Sequence, residues 1–335
     1  MHFKAQSSAL IQITELVLLL LTATTTTHAR SWQLQTTHQG TSFFNGFSFF
    51  NSPDPTHGFV DYVDQHMATK LDLIDFDEEE DDDIVVIKSG PVSNKGRASI
   101  RIQSDTTYNQ GLFLFDVEHM PAGCGTWPAI WLNGPDWPNG GEIDVVEGVN
   151  LQKHNLITLH TGQACEIAQN MHHLTPKLTG HVLTSKCQLN SPGQKPHQGC
   201  TIEYKSSHSF GHKFNKHGGG VFALQLDDKG IQSWFFDRNH IPDDIEDNEV
   251  ILDTSRWWTE HHYRPDAVYL FDGIHCNATA FHDLRIIINL TFCGEWAGLP
   301  EEFHQDCPGY SCIDYVKNAP LPEAYWRIRS VKVYQ

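Results

Sequence analysis

The chain has 335 residues and a formal charge of −18 at pH 7. Such an excess of carboxylates argues against nucleic acid and anionic membrane as partners. The length admits one large all-β domain or two ordinary ones, and no internal repeat or Ser/Pro-rich linker divides it.

His2 and Lys4 precede an apolar run from Leu16 to Leu21 and a Thr-rich stretch to Ala29. This reads as a secretory signal peptide over residues 1–29, cleaved after Ala23 or Ala29. A membrane anchor needs roughly 20 apolar residues, and Glu15 interrupts this run too early. Residues 30–335 are expected to form a single domain of a secreted protein, extracellular or in the cell wall. Eight cysteines in a secreted chain imply up to four disulfides, with a connectivity the sequence does not give. A zinc site is the rival, but no short Cys-x-x-Cys spacing with matching histidines supports it. The pairs His172-His173 and His261-His262 read as surface residues.

The contiguous acidic run Asp75–Asp83 repels itself and reads as a flexible, solvated loop. It lacks the spaced ligands and turn glycine of a calcium loop. Strand character follows at 98–102, 112–117 and 126–132. In the last of these, Trp127, Ala129 and Trp131 share a face by period two. Indole faces stack on the apolar faces of pyranose rings, so the pair reads either as a sugar platform or as core. Trp137 lies in the turn-like Pro135–Gly140 with no strand to bury it, which favours a substrate contact.

Gly141-Glu-Ile-Asp-Val-Val-Glu-Gly148 holds three carboxylates within six residues, spaced by β-branched residues and bracketed by glycines. On a strand Glu142 and Asp144 share a face, with Ile143 and Val145 on the other. Glu147 sits at odd spacing, and a β-bulge near Val145-Val146 would turn it back to that face. Three adjacent acids raise one another's pKa values, so the cluster does not serve stability. A solvated acidic edge strand is the rival, and the glycines and apolar spacers weigh against it. Two carboxylates on one face suit glycoside hydrolysis, where about 5 to 5.5 Å separates them in retaining enzymes. Positions four apart in register lie about 13 Å along a strand, a gap that two inward-leaning Glu side chains largely close. Asp144 between them would help set which Glu is charged.

Residues 155–161 form the next strand, whose His160 should lie alongside the acids, with a satisfied structural histidine as the rival reading. Asp227-Asp-Lys-Gly230 joins two strands as a hairpin, and strands at 285–292 and 325–334 close the chain. Asn277-Ala-Thr279 and Asn289-Leu-Thr291 are glycosylation sequons, the first loop-like and the second inside a strand. Many short strands without intervening helices point to an all-β sandwich.

The Glu-x-Asp-x-x-Glu run follows Gly123-Cys-Gly-Thr-Trp-Pro-Ala-Ile-Trp131 and Gly134-Pro-Asp-Trp-Pro-Asn139. Together with Asp54–Val60, Thr158–Thr161, Val182–Ser185, Thr291–Gly298 and Lys332–Gln335, it resembles glycoside hydrolase family 16. The resemblance covers nearly the whole expected mature chain and is strongest to secreted fungal endo-1,3(4)-β-glucanases of the laminarinase type. It implies a concanavalin A-like β-jelly-roll with a curved sheet forming an open cleft. It also implies a retaining reaction on β-1,3 and mixed β-1,3/1,4 glucans. Glu142 would then be the nucleophile, Asp144 the electrostatic helper and Glu147 the acid/base. Trp127, Trp131, Trp137, His160 and Trp296 would contact substrate, and Asn45, Asn133 and Arg97 are further candidates for sugar contact. Relatives often carry Asp where this chain has Glu295. No metal or organic cofactor is needed for that reaction, and a monomer is expected. A transglycosidase on the same fold and a lectin-like glucan-binding protein are the rivals; the three clustered acids argue against the lectin.

Overall fold

The β-branched and aromatic runs pair into two large antiparallel sheets in the computed structural model, which describes residues 31–77, 84–168, 178–195 and 197–335. The expected signal peptide, residues 78–83 of the acidic run and the His172-His173 pair lie outside the described residues. One sheet has eight strands, in the order His181–Val182, Cys200–Glu203, Leu156–His160, Glu142–Glu147, Thr126–Asn133, Arg285–Phe292, Arg101–Ser104 and Phe47–Phe49. The other has nine strands, with Tyr325–Tyr334, Gly111–His119 and Gly220–Asp227 at its centre. Its Gly230–Asp237 strand pairs with Gly220–Asp227 through the expected hairpin, Asp227 opposite Gly230.

Period-two alternation decides how the sheets pack. Ile130, Leu132, Ile143 and Ile157 of the eight-stranded sheet join Phe113, Phe115, Phe222 and Val331 of the nine-stranded sheet in one buried cluster. Leu112, Leu114, Val221 and Ala223 point the other way, under Trp32, Leu252 and Trp257. The nine-stranded sheet is thus apolar on both faces, which is why its strands read as nearly continuous hydrophobic runs. The outer face of the eight-stranded sheet carries the acids. The architecture is the expected all-β jelly-roll sandwich, without a closed barrel.

Two local expectations need correction. The stretch 98–102 is not one strand: Arg97–Ser99 runs parallel to Val60–Tyr62, while Arg101–Ser104 joins the eight-stranded sheet. The acidic run does not begin as a loop either, since Ile74–Asp77 is a strand paired with Ile84–Lys88. Ile74 and Phe76 pack against the core on one face, while Lys88 reaches Asp75 and Arg327 reaches Asp77. The alternation and the paired cations overcome the self-repulsion there.

Described helices are short, the longest being the seven-residue Pro300–Asp306 and Cys312–Asn318. None is long and apolar enough to cross a membrane. All eight cysteines are paired, as Cys124–Cys307, Cys165–Cys276, Cys187–Cys200 and Cys293–Cys312. That leaves no cysteine thiolate for the zinc alternative. Two of these bridges fasten the C-terminal helical segment beside the strands Thr126–Asn133 and Arg285–Phe292, at the end where Trp296 emerges.

Candidate active site

The strand Glu142–Glu147 lies in the middle of the eight-stranded sheet, between Thr126–Asn133 and Leu156–His160. Against Thr126–Asn133, Asp144 sits opposite Trp131 and Val146 opposite Ile130, so Val145 is the inserted residue of a β-bulge. Val145 and Val146 are both fully buried in the core. Consecutive side chains normally alternate across a sheet, and the bulge lets two successive valines face inward and Glu147 face outward. The bracketing glycines have steric reasons. Gly141 adopts φ +77°, and a Cβ there would lie 2.3 Å from the Ala280 carbonyl oxygen. A Cβ at Gly148 would lie 2.7 Å from the Phe210 ring.

The three carboxyls form one electrostatic unit. Removal from water pushes Glu142, Asp144 and Glu147 each up to about 8, and Asp144 adds to the rise of both glutamates. An indole hydrogen bond from Trp137 and the proximity of His160 oppose the rise at Glu142. At Glu147 the rise is opposed by Trp127, whose Nε1–H donates to Oε1 at 2.9 Å, and by the electrostatic influence of His160. Three charges cannot coexist in this pocket at neutral pH, so the group shares protons.

His160 sits directly opposite Glu142 in the pairing. Its Nε2 lies 3.2 Å from Asp144 Oδ2, off the hydrogen-bond axis, and 3.7 Å from Glu142 Oε1. Glu142, Asp144 and His160 also form the one group among the described residues whose ligand atoms converge, within 4.8 Å, closely enough to hold a metal ion.

The other expected contacts surround this cluster. Trp127 is half-buried and meets Trp296 edge-on, with ring centroids 5.5 Å apart. Trp131 is also half-buried: its Nε1–H donates to Asn289 Oδ1 at 2.7 Å, and the Arg101 guanidinium lies 5.0 Å from its ring centre. Trp137 is 42% exposed and stacks on His197. Asn133 lies opposite Glu142, and its Oδ1 is buried without a hydrogen-bond partner. Asn45 is exposed in the turn before the edge strand Phe47–Phe49. Arg97 is engaged within the protein. Its guanidinium donates to the carbonyls of Gly90 and Val316 and lies over Phe292, fastening the C-terminal segment. Glu295 accepts from His57 Nδ1 at 2.7 Å on the surface beside Trp296.

Three residues have supporting roles that the sequence reading did not assign. Asp54 Oδ2 accepts from the Gly58 backbone and from Thr291 Oγ1, docking the Asp54–Val60 loop onto the strand that leads to Trp296. Asn289 orients Trp131 and also donates to the Tyr62 hydroxyl. Asn155 bonds the bulged backbone itself. The Asp54 segment carried a signal through its part in the resemblance, and Asn289 only as part of a sequon.

The family model described as XgeA-like, catalytic GH16 domain matches residues 47–334. A probable glycosidase of Schizosaccharomyces pombe is 43% identical over 92% of this chain and 70% of its own length. An endo-1,3(4)-beta-glucanase of Arthroderma benhamiae is 38% identical over 95% of this chain and 68% of its own. Among solved structures, GH16 laminarinase 16A from Phanerochaete chrysosporium, with two beta-glucans in both donor and acceptor sites, superposes with a TM-score of 0.82. It is 38% identical over 91% of this chain and all (100%) of that one. An elongating GH family 16 beta-1,3-glucosyltransferase gives a TM-score of 0.80 at 34% identity, over 91% of this chain and 100% of that one. The match spans the acid strand, the tryptophan strand and both sheets, and the chain belongs to glycoside hydrolase family 16.

Proposed function

We propose that the chain is a secreted, retaining endo-β-glucanase that cleaves β-1,3 and mixed β-1,3/1,4 glucans. The observation that carries this reading is the bulged strand, with Glu142, Asp144 and Glu147 acting on one another beside indole donors and the His160 imidazole. The relatives named for glucanase activity and the neighbour holding glucans support the substrate class. Four disulfides and the apolar N-terminal run support secretion.

In the proposed reaction a Glu142 carboxylate oxygen attacks the anomeric carbon as its bond to the leaving oxygen breaks. Glu147 delivers its proton to that oxygen, leaving a glycosyl ester on Glu142 and an ionised Glu147. Glu147 then takes a proton from water, the water oxygen attacks the anomeric carbon, and Glu142 departs as carboxylate. Burial and Asp144 hold protons on the cluster at neutral pH, which supplies the proton that Glu147 delivers in the first step. Trp137 and His160 oppose the rise at Glu142 and so assist its ionisation as nucleophile. Asp144, 3% exposed between them, tunes both without making a bond. Trp127, Trp131, Trp137 and Trp296 offer stacking faces, and His160 faces the reacting centre.

Transfer to a second sugar instead of water is the alternative, supported by the glucosyltransferase neighbour. Product analysis on laminarin, lichenan and chitin tests both. Short oligosaccharides from the two glucans, and none from chitin, are expected. Products longer than the substrate would favour transfer, and cleavage of chitin would refute the glucan assignment.

A further inference from the structure

A bulge breaks the regular ladder, so the backbone groups around it need other partners. Toward Leu156–His160 the pairing jumps from Asp144–Thr158 to Glu147–Leu156, with three steps on the acid strand matched by two on its neighbour. The Asn155 side chain fills that mismatch. Its Nδ2–H donates to the Val145 carbonyl at 2.8 Å, and its Oδ1 accepts from the Glu147 backbone N–H at 3.0 Å. Asn155 is fully buried. Its own backbone is held from the far side: its N–H donates to Ser209 Oγ at 2.9 Å, and its carbonyl accepts from Tyr204 N–H at 2.9 Å.

We propose that Asn155 is a positioning residue for Glu147, its amide serving as the template that holds the bulge and so keeps the Glu147 carboxyl on the outer face. The proposal rests on the reading of Glu147 as acid/base. A hydrophobic side chain or alanine at 155 would leave a buried N–H and a buried carbonyl without partners. A regular strand satisfies both backbone groups but swings Glu147 toward the core. No other side chain among the described residues donates to Val145 O or accepts from Glu147 N–H.

Chemistry separates positioning from simple support. A misplaced proton donor hurts only substrates whose leaving group needs the proton. The test compares kcat/KM of the parent, Asn155→Ala and Glu147→Ala on laminarin and on a dinitrophenyl β-laminaribioside, whose phenolate leaves unaided. Circular dichroism at the assay temperature reports folding. Glu147→Ala should lose about 10²- to 10⁴-fold on laminarin and far less on the aryl substrate. Asn155→Ala should follow the same pattern at smaller amplitude, losing on the order of 10²-fold on laminarin and under about tenfold on the aryl glycoside. Its KM for laminarin should stay within about twofold, since no sugar contact is removed. Asn155→Asp keeps the acceptor for Glu147 N–H, and it carries the comparison if the alanine variant does not fold. Equal losses on both substrates, with Glu147→Ala still discriminating between them, would reduce Asn155 to structural support and overturn the proposal. If Glu147→Ala itself fails to discriminate, the acid/base reading falls and takes the positioning role with it.

Discussion

Trp127 donates its indole N–H to Glu147 Oε1 across 2.9 Å, from the strand next to the acids, while its ring meets Trp296 edge-on. One residue therefore joins the stacking surface to the proposed proton donor. The indole N–H favours the ionised form of Glu147, whereas burial and Asp144 favour the protonated form. Trp127→Phe keeps most of the aromatic face and removes only that hydrogen bond. Glu147 should then hold its proton to higher pH, and the alkaline limb of the kcat/KM profile, which reports its deprotonation, should move upward. Activity at the plateau should fall by about tenfold, the scale of a hydrogen bond to a charged group. A limb that stays in place or moves to lower pH contradicts this.

The acid cluster should lower stability as pH rises. In the unfolded chain these carboxyls ionise near their ordinary values, 4.5 for Glu and 3.8 for Asp, whereas burial lifts them to about 8 in the fold. Between those limits the folded state binds more protons than the unfolded state, so stability falls with pH, by at most about 1.4 kcal/mol per pH unit per group. Glu142→Gln removes one titrating group. Its Tm should match the parent near pH 4 and exceed it increasingly toward pH 8. A gap that closes with rising pH would reverse the sign.

Thiol titration of the denatured, unreduced protein should find no free groups, and peptide mapping should recover the four observed pairs. Loop entropy ranks the bridges. Cys124–Cys307 spans 183 residues and Cys187–Cys200 spans 13, so replacing the first pair by serine should cost about 5 kcal/mol and the second about 3. Denaturant unfolding that finds the short bridge worth more would contradict this ranking.

The two sequons should behave differently in a glycosylating secretory host. Asn277 is exposed, in a turn where its Oδ1 accepts from Thr279. Asn289 is 7% exposed, with both amide atoms engaged by Trp131 and Tyr62. Asn277→Gln should remove the glycosidase-sensitive mass shift. Asn289→Gln should leave it intact and lower Tm, because two buried partners lose their bonds. A shift that persists in Asn277→Gln contradicts this assignment.

Legibility followed local pattern. The strands at 126–132, 221–226 and 285–292 show in sequence because alternation and β-branching are short-range signals. The bulge is legible for the same reason: Glu147 at odd spacing among valines leaves few other ways to expose it. What failed depended on partners distant in sequence. Asp75 and Asp77 look like a self-repelling loop until Lys88 and Arg327 stand beside them. Arg97 reads as a candidate for sugar contact, and its bonds to the carbonyls of Gly90 and Val316 are invisible in the sequence. Asn155 gives no signal beyond opening the expected strand 155–161, since an asparagine where a turn meets a strand is ordinary chemistry, and its amide matters only once the ladder has slipped. Asn289 was legible only as a sequon, while its contact with Trp131 crosses 158 positions.

The assignment of roles to the two glutamates is tested most directly by the anomeric configuration of the azide products. In Glu142→Ala the attacking carboxylate is gone, and azide entering the vacated face of an activated β-glucoside should restore turnover with an α-glucosyl azide. In Glu147→Ala the glycosyl ester still forms on Glu142, and azide should intercept it to give the β-azide. NMR coupling at the anomeric proton distinguishes the two. An α-azide from Glu142→Ala and a β-azide from Glu147→Ala are the expected pair. A β-azide from Glu142→Ala would contradict the assignment and exchange the two glutamates.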